Sequence, residues 1–207
     1  MRTAGIAGGA ATGLALLLSA PARAHHVMDG AMPTSWFEGL LSGLGHPVIG
    51  LDHLAFVIAV GLLASRFARG WLLPLPFLAG TLAGAFVHLS GADLPAVEAL
   101  IALSVLVLGL LLALGARIPQ GAAAALLLAA GLAHGYAYAE SIIGAEPAPL
   151  VSYGIGFLVI QYAIAAAAWA AARAMSQRPG VNVEPLVRGA GALIGVFGAV
   201  TLALAAG

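Results

Sequence analysis

The sequence predicts an all-α integral membrane protein with six transmembrane helices behind a cleaved signal peptide. Two observations predict this fold class. Hydrophobic residues make up 62% of the 207 residues and charged residues only 8%, whereas soluble domains carry about 25% charged residues. The apolar residues also form runs of about 20, the length that a helix needs to cross a bilayer.

Residues 1–24 have the pattern of a secretory signal peptide. Arg2 precedes a weakly apolar stretch, and Ala22 and Ala24 form a cleavage site of the A-x-A type. Cleavage makes His25 the new N-terminus, where the amino group and the imidazole can chelate a divalent metal. The alternative is an uncleaved first helix, which the Gly-rich run disfavours because it is poorly hydrophobic for a permanent span.

Residues 25–46 are predicted to form a periplasmic N-terminal segment, and residues 47–207 a six-helix transmembrane domain. The six apolar segments are residues 47–65, 71–89, 94–114, 121–140, 150–172 and 187–206. Their connections are short, so consecutive helices are expected to be antiparallel neighbours.

The positions of the arginines predict the orientation. With the mature N-terminus outside, six arginines all fall in inner loops: Arg66, Arg69, Arg117, Arg173, Arg178 and Arg188. The outer segments 91–93 and 141–149 contain no Lys or Arg. Because basic loops stay on the cytoplasmic side, we expect a multi-pass protein of the bacterial inner membrane with both termini periplasmic.

The chemistry is concentrated in residues 45–53, Gly-His-Pro-Val-Ile-Gly-Leu-Asp-His. One Asp at the centre of a spanning helix costs about 2.5–3.5 kcal/mol, so a chain that keeps Asp52 is expected to use it. On the six-span topology, further polar side chains lie in the same outer half of the membrane. The candidate metal ligands are therefore His25, His46, Asp52, His53, His88, Glu98, His134 and Glu140.

The spacing of His46 and His53 leaves two arrangements open. On one continuous helix they lie about 10 Å apart along the axis, and Pro47 would suit the first helical position. The ion would then pass along a relay from His46 to Asp52 and His53, with Glu98 and His134 receiving it deeper. If Gly45 or Gly50 breaks the helix, one compact site becomes available.

The types of candidate ligand limit which metal ions the site would bind. The chain has no cysteine, so a metal must be bound by nitrogen and oxygen. Imidazole with carboxylate suits Ni²⁺, Co²⁺ or Zn²⁺ better than Ca²⁺ or Mg²⁺. The chain has no G-x-x-x-x-G-K-[ST] motif for nucleotide binding and no basic tract for nucleic acid.

The pattern Gly45-His46-Pro47-x-x-Gly50-x-Asp52-His53 resembles the H-x5-D-H signature of the HupE/UreJ family of nickel and cobalt permeases. The likeness extends to His25, to Val97-Glu98 and residues 101–106, and to His134-Gly135-Tyr136-Ala137. The resemblance implies uptake of the ion as cargo across the inner membrane to supply a nickel or cobalt enzyme. No permanently bound cofactor and no nucleic-acid partner are expected.

The chain departs from the family pattern in the fourth predicted span. Many members have F-H-G-x-A-H-G-x-E there, whereas this chain has Ala133 before His134, Tyr138 at the second His, and Glu140 one place early. The loss of a nitrogen ligand makes a cobalt preference an option. Two other functions stay open: an intramembrane zinc hydrolase with Glu98 or Glu140 as general base, and a metal sensor or chaperone without transport.

Overall fold

The computed structural model describes residues 32–206, which are helical and contain no strand. The helices are α1 Trp36–Ile49, α2 Leu51–Ala64, α3 Pro74–Leu89, α4 Val97–Ala113, α5 Gln120–Glu140, α6 Pro147–Ser176 and α7 Glu184–Ala205, with a 3₁₀ turn Gly70–Leu72 before α3. The all-α prediction is confirmed. The signal peptide, residues 1–24, and His25 lie outside the described residues.

Four helices are long and apolar enough to cross a membrane: Gly70–Leu89, which includes α3, and α5, α6 and α7. The pair α1 and α2 makes a fifth candidate if it counts as one bent span, and α4 is a shorter apolar helix. The protein is therefore a multi-pass membrane protein. The six-span count and the periplasmic side of the termini stay predictions.

The first predicted span is broken. Helices α1 and α2 meet at an angle of 80° around Gly50, so residues 47–65 are not one continuous helix, and of the two arrangements left open the structure has the break at Gly50. Pro47 lies inside α1 and does not begin a helix. A proline has no N–H to donate and so weakens the turn that contains it, and Gly50 follows in an extended conformation with φ −73° and ψ 101°.

Helix α1 begins within the segment that was expected to be a periplasmic extension. Its start is a capping box: the Ser35 hydroxyl accepts from the backbone N–H of Glu38 at 3.2 Å, and the Glu38 carboxylate accepts from the N–H of Ser35 at 3.2 Å. Reciprocal bonds of this kind satisfy donors that a helix start leaves without partners. Helix α1 then packs along α6, where Gly43 lies against the backbone of Tyr153.

Helix α2 lies at the centre of the bundle. It contacts α4, α6 and α7, and its side chains Phe56, Val57, Val60 and Leu63 are buried. Around it, α3 packs closely on α5 and α4 on α7. Small residues allow these close approaches: a Cβ on Gly80 or Gly135 would meet the backbone of the facing helix. A helix of 14 residues is only about 21 Å long, so α2 alone is shorter than the roughly 30 Å of hydrocarbon in a bilayer.

Arginines hold the other end of α2. Arg66, just beyond α2, donates to the carbonyls of Leu111, Leu112 and Ala116 at 3.1–3.4 Å and to Glu184 at 2.9 Å. Arg188 donates to the carbonyl of Ala113 at 2.8 Å. The last carbonyls of a helix have no partner within it; at the end of α4 the N–H groups of Gly115 and Ala116 bond to Leu112 and Leu111, and the arginines add further donors.

Candidate metal centre

Three of the predicted ligands come together where α1 breaks and α2 begins. His46 is in the last turn of α1, His53 in the first turn of α2 and His134 in α5, and all three are buried. The rings of His46 and His53 are 6.0 Å apart, and those of His53 and His134 are 4.9 Å apart. The bend at Gly50 therefore favours the compact arrangement over a relay along one straight helix.

Gly50 also leaves room for a candidate ligand at the bend. A Cβ at this position would lie 2.7 Å from the Cδ2 atom of the His53 ring, which is closer than real Cβ contacts allow. The glycine thus lets the His53 ring lie against the break itself. The same residue separates the two helices and positions one of the candidate ligands.

A chain of side-chain contacts joins Ser104, His134 and His53. The Ser104 hydroxyl donates to the carbonyl of Ile101 at 2.7 Å and lies 2.9 Å from Nε2 of His134. Nδ1 of His134 lies 2.8 Å from Nδ1 of His53. In a hydrogen bond between two imidazoles one nitrogen donates its proton and the other accepts it, so the two rings hold each other in place.

His46 is held by two hydroxyl groups. Its Nδ1 lies 2.8 Å from the Tyr153 hydroxyl and 3.1 Å from the Ser141 hydroxyl. Both hydroxyls also lie 2.9 Å from the carbonyl of Tyr138, which ties them to the end of α5. With Nδ1 engaged in this way, coordination of a metal by His46 would use Nε2.

Tyr138 fills the space between the two histidines of the signature. Its ring centroid is 4.3 Å from that of His53 and 5.0 Å from that of His46. The side chain is fully buried, and within residues 32–206 its hydroxyl has no hydrogen-bond partner. Position 138 therefore carries a buried hydroxyl oxygen beside both rings.

Asp52 lies at the start of α2, partly exposed, between Gly50 and His53. One carboxylate oxygen accepts from the backbone N–H of His53 at 2.8 Å. Negative charge is stabilised at a helix N-terminus by the backbone dipoles. The carboxylate is thus held next to the imidazole cluster by the helix that it begins.

The other predicted ligands lie outside this cluster. Glu98, in the first turn of α4, and Glu140, the last residue of α5, are exposed. The ring of His88 packs against Tyr136 at 4.1 Å. Positions 134 and 138 share a helix face and position 136 points away from it, so His88 lies on the opposite side of α5 from the imidazole cluster.

His88 lines an open groove of about 540 Å³ together with Asp93 and Tyr136. The Tyr136 hydroxyl donates to Asp93 at 3.4 Å. Within residues 32–206, Nδ1 of His88 is buried with no hydrogen-bond partner. A metal-ligating histidine usually donates its second ring N–H to a protein acceptor, so His88 lacks the support that His53 has.

No three His, Asp or Glu side chains of residues 32–206 are arranged to hold a metal ion as they stand. The physical reason is visible in the hydrogen bonds: the Nδ1 atoms of the three buried histidines contact other side chains. The side chains that the break brings near one another are the imidazoles of His46 and His53 and the carboxylate of Asp52. Side-chain movement is needed to bring these groups onto one ion.

Comparison with known proteins identifies the family. The model of the HupE / UreJ protein family matches residues 13–201. The chain belongs to the HupE/UreJ family. This membership supports a metal permease at the level of the family. Protein HupE of Rhizobium leguminosarum bv. viciae is 39% identical over 103 residues. No solved structure matches the chain.

The match to the Rhizobium HupE protein is partial. It covers 49% of this chain and 54% of the relative, so the chain spans about half the length of the curated relative that it matches. The resemblance read from residues 45–53 and 134–137 is nevertheless confirmed as HupE/UreJ membership, because the family model covers most of the chain.

Sequence reasoning missed three hydroxyl residues of this HupE/UreJ chain that hold the histidines: Ser104, Ser141 and Tyr153. Ser141 follows α5 directly and Tyr153 lies 12 residues later, so no local pattern joins them. It also missed α1, for which a signal existed. The sequence Ser35-Trp36-Phe37-Glu38 has the capping-box spacing that marks a helix start.

Proposed function

We propose that this protein is a secondary permease that takes up Ni²⁺ or Co²⁺ across the bacterial inner membrane. The observation that carries the proposal is the meeting of His46, His53 and His134 with Asp52 at a broken span, in a chain of the HupE/UreJ family. The cation is cargo, and no permanently bound cofactor is part of the proposal. The lipid bilayer and a downstream nickel or cobalt enzyme are the proposed partners.

Binding would begin at the break. Asp52 would supply a carboxylate ligand for a divalent cation, and the imidazole of His53 would supply a nitrogen ligand. Borderline divalent ions accept imidazole together with carboxylate, which supports nickel or cobalt. His46 would join through Nε2 as the rings adjust. Tyr138, with an oxygen where many members have a nitrogen, is the residue that we propose to set the preference between the two ions.

Passage requires a change of shape. Below the histidine cluster, the α2 side chains Phe56, Val57 and Val60 are buried in an apolar core with side chains from neighbouring helices. A hydrated or partly hydrated cation cannot cross such a core. We therefore propose that the bundle opens around α2 after the ion has bound, with both termini on the periplasmic side.

The peripheral candidates have smaller proposed roles. Glu98 and Glu140 are exposed and would attract cations without holding them. His25, at the proposed mature N-terminus, would chelate ions outside the membrane. The exposure of Glu98 and Glu140 gives no support to their role as the general base of a zinc hydrolase, and no observation favours a sensor or chaperone over a permease.

The test is uptake of radiolabelled nickel and, separately, cobalt into cells that express matched membrane levels of each variant. Asp52→Asn should abolish uptake, because it removes the charge beside His53. The matched control is Asp93→Asn, which alters an exposed carboxylate in the loop after α3 and should retain uptake. The proposal fails if no ion accumulates with the wild-type chain, or if Asp52→Asn transports as well as the control.

A further inference from the structure

Gln161 is a fully buried polar side chain in the middle of α6. Its amide nitrogen Nε2 donates to the carbonyl of Phe157 at 3.1 Å. A carbonyl oxygen can only accept a hydrogen bond, so the amide atom that faces Phe157 is the nitrogen, and the amide oxygen Oε1 is directed away from that carbonyl. Among the residues that the structure describes, Oε1 has no hydrogen-bond partner.

The amide of Gln161 adds little to the stability of α6. Within the helix, the Phe157 carbonyl already accepts from the backbone N–H four residues further on, so the bond from Nε2 is a second bond to the same oxygen. Burial of Oε1 without a partner is unfavourable. A buried polar atom of this kind calls for an explanation such as a bound ion, and packing of α6 does not supply one.

The amide lies on α6 opposite the break between α1 and α2. Positions 153, 157, 161 and 165 are four residues apart and share one face of the helix, and all four are buried. At one end of this face the backbone of Tyr153 contacts Gly43 of α1, and at the other the backbone of Ala165 contacts Gly61 of α2. Gln161 lies between these two contacts, where the bent span passes from its first helix to its second.

This position separates the histidine cluster from the apolar core. Phe157, one turn before Gln161, packs on Tyr138 of the cluster with ring centroids 4.9 Å apart. Ala165, one turn after it, belongs to the core that surrounds α2. Nickel and cobalt prefer imidazole nitrogen to a neutral amide oxygen, so such an oxygen binds them more weakly. Weak binding suits a site that an ion has to leave again.

We propose that Oε1 of Gln161 is a transient ligand for the transported cation between the histidine cluster and the cytoplasmic side. The inference deepens the proposed function and rests on it. Arrival of the Ni²⁺ or Co²⁺ ion gives Oε1 the partner that it lacks, and the bond from Nε2 to Phe157 holds the amide in the orientation that presents this oxygen.

The test uses Gln161→Leu, which removes both polar atoms of the amide and leaves an apolar side chain of similar size. The matched control is Ser152→Ala on the same helix. Ser152 is fully buried, and its hydroxyl donates to the carbonyl of Pro149 at 3.1 Å. Each change therefore removes one side-chain hydrogen bond to a carbonyl of α6, and only Gln161→Leu also removes an unpaired oxygen.

Uptake of radiolabelled nickel and cobalt is measured over a range of concentrations in cells with matched membrane levels, and the Kd is measured on the purified full-length chain. We expect Gln161→Leu to lower the maximal uptake rate about tenfold, because the cation then enters the core without this oxygen partner. The half-saturating concentration and the Kd should stay within about threefold of wild type, since the histidine cluster binds the ion first. Ser152→Ala should match wild type in all three quantities.

Chemical denaturation in detergent micelles separates this role from a structural one. The midpoint for Gln161→Leu should equal or exceed that for Ser152→Ala, because no buried polar atom loses its only partner in the change. A midpoint well below that of Ser152→Ala, or a chain that does not fold, would show that Gln161 serves packing and would overturn the inference.

The uptake results also separate the inference from the proposed function. A wild type that transports, with Asp52→Asn inactive and Gln161→Leu at the wild-type maximal rate, overturns the inference alone. A rise of tenfold or more in the Kd of Gln161→Leu overturns it too, because Gln161 would then support the histidine cluster. Uptake of neither ion by the wild type overturns both proposals.

Discussion

The two ends of helix α2 hold their polar groups in different ways. At its start, which we call the histidine end, His46, His53 and His134 are held by hydroxyls and by one another, next to the carboxylate of Asp52. At its finish, the arginine end, Arg66 and Arg188 donate to backbone carbonyls, and Arg66 also pairs with Glu184.

This difference between the two ends of α2 suggests that one end serves metal binding and the other the stability of the fold. Neutral hydrogen-bonded imidazoles can exchange a partner for a cation, because each ring has one lone pair and one proton to rearrange. An arginine on backbone carbonyls has five donors and no lone pair to offer. We therefore expect changes at the histidine end to alter affinity, and changes at the arginine end to alter the free energy of unfolding.

The largest effect is expected from Arg66→Ala. It removes the donor to three carbonyls and one carboxylate, and hydrogen bonds to a charged group are worth about 1.5–3 kcal/mol each. Since Arg66 is partly exposed, we expect a total loss of about 2–4 kcal/mol of unfolding free energy, measured by chemical denaturation in detergent micelles. The Kd of the folded protein for nickel or cobalt should stay within about threefold.

The matched control for Arg66→Ala is Glu184→Gln, which removes only the ion pair. An exposed pair contributes about 0–1 kcal/mol, so this variant should lose no more than that. Equal losses in the two variants would show that the ion pair holds this end and that the carbonyl contacts do not. The stability of the arginine end would then come from an ion pair, and not from arginine donors on backbone carbonyls.

A smaller effect is expected from Tyr153→Phe at the histidine end. The change removes one of the two hydroxyls on Nδ1 of His46 and leaves the Ser141 hydroxyl in place. Because half of the support remains, we expect about a tenfold rise in the Kd for the ion, the low end of the range for such partners. Isothermal titration of the purified chain measures it.

Tyr162→Phe is the control for Tyr153→Phe, since it removes a hydroxyl from the same helix. The Tyr162 hydroxyl donates to the carbonyl of Trp71 at 3.3 Å, away from the imidazole cluster. The Kd of Tyr162→Phe for nickel or cobalt should therefore equal that of the wild type. A Tyr153→Phe variant that also binds like the wild type would argue against His46 as a ligand.

The smallest effect is expected from His88→Ala. His88 lies across α5 from the cluster, against Tyr136, so the cluster should keep its hydrogen bonds when the ring is removed. We expect less than a twofold change in affinity and in nickel or cobalt uptake. A loss of tenfold or more would return His88 to the binding site and would make the groove beside Asp93 part of the entry route.

The sequence by itself determined the class of the protein and its family. Composition and apolar runs identified an α-helical membrane protein, because only helices and closed barrels satisfy every backbone group in lipid. Residues 45–53 and 134–137 indicated the HupE/UreJ family, and they also supplied the three histidines that meet in the bundle. A short motif of this kind can be recognised from the order of its residues alone, without knowledge of the tertiary structure.

Only the tertiary structure decided how those residues meet. The sequence left open whether the helix breaks at Gly50. The break depends on how α1 and α2 pack against α6, which is distant in the sequence, and on the His53 ring lying next to Gly50 across the bend. The hydroxyls of Ser104, Ser141 and Tyr153 reach the histidines from other helices. A hydrogen bond between residues 30 to 107 positions apart has no local signature, since helix packing alone creates it.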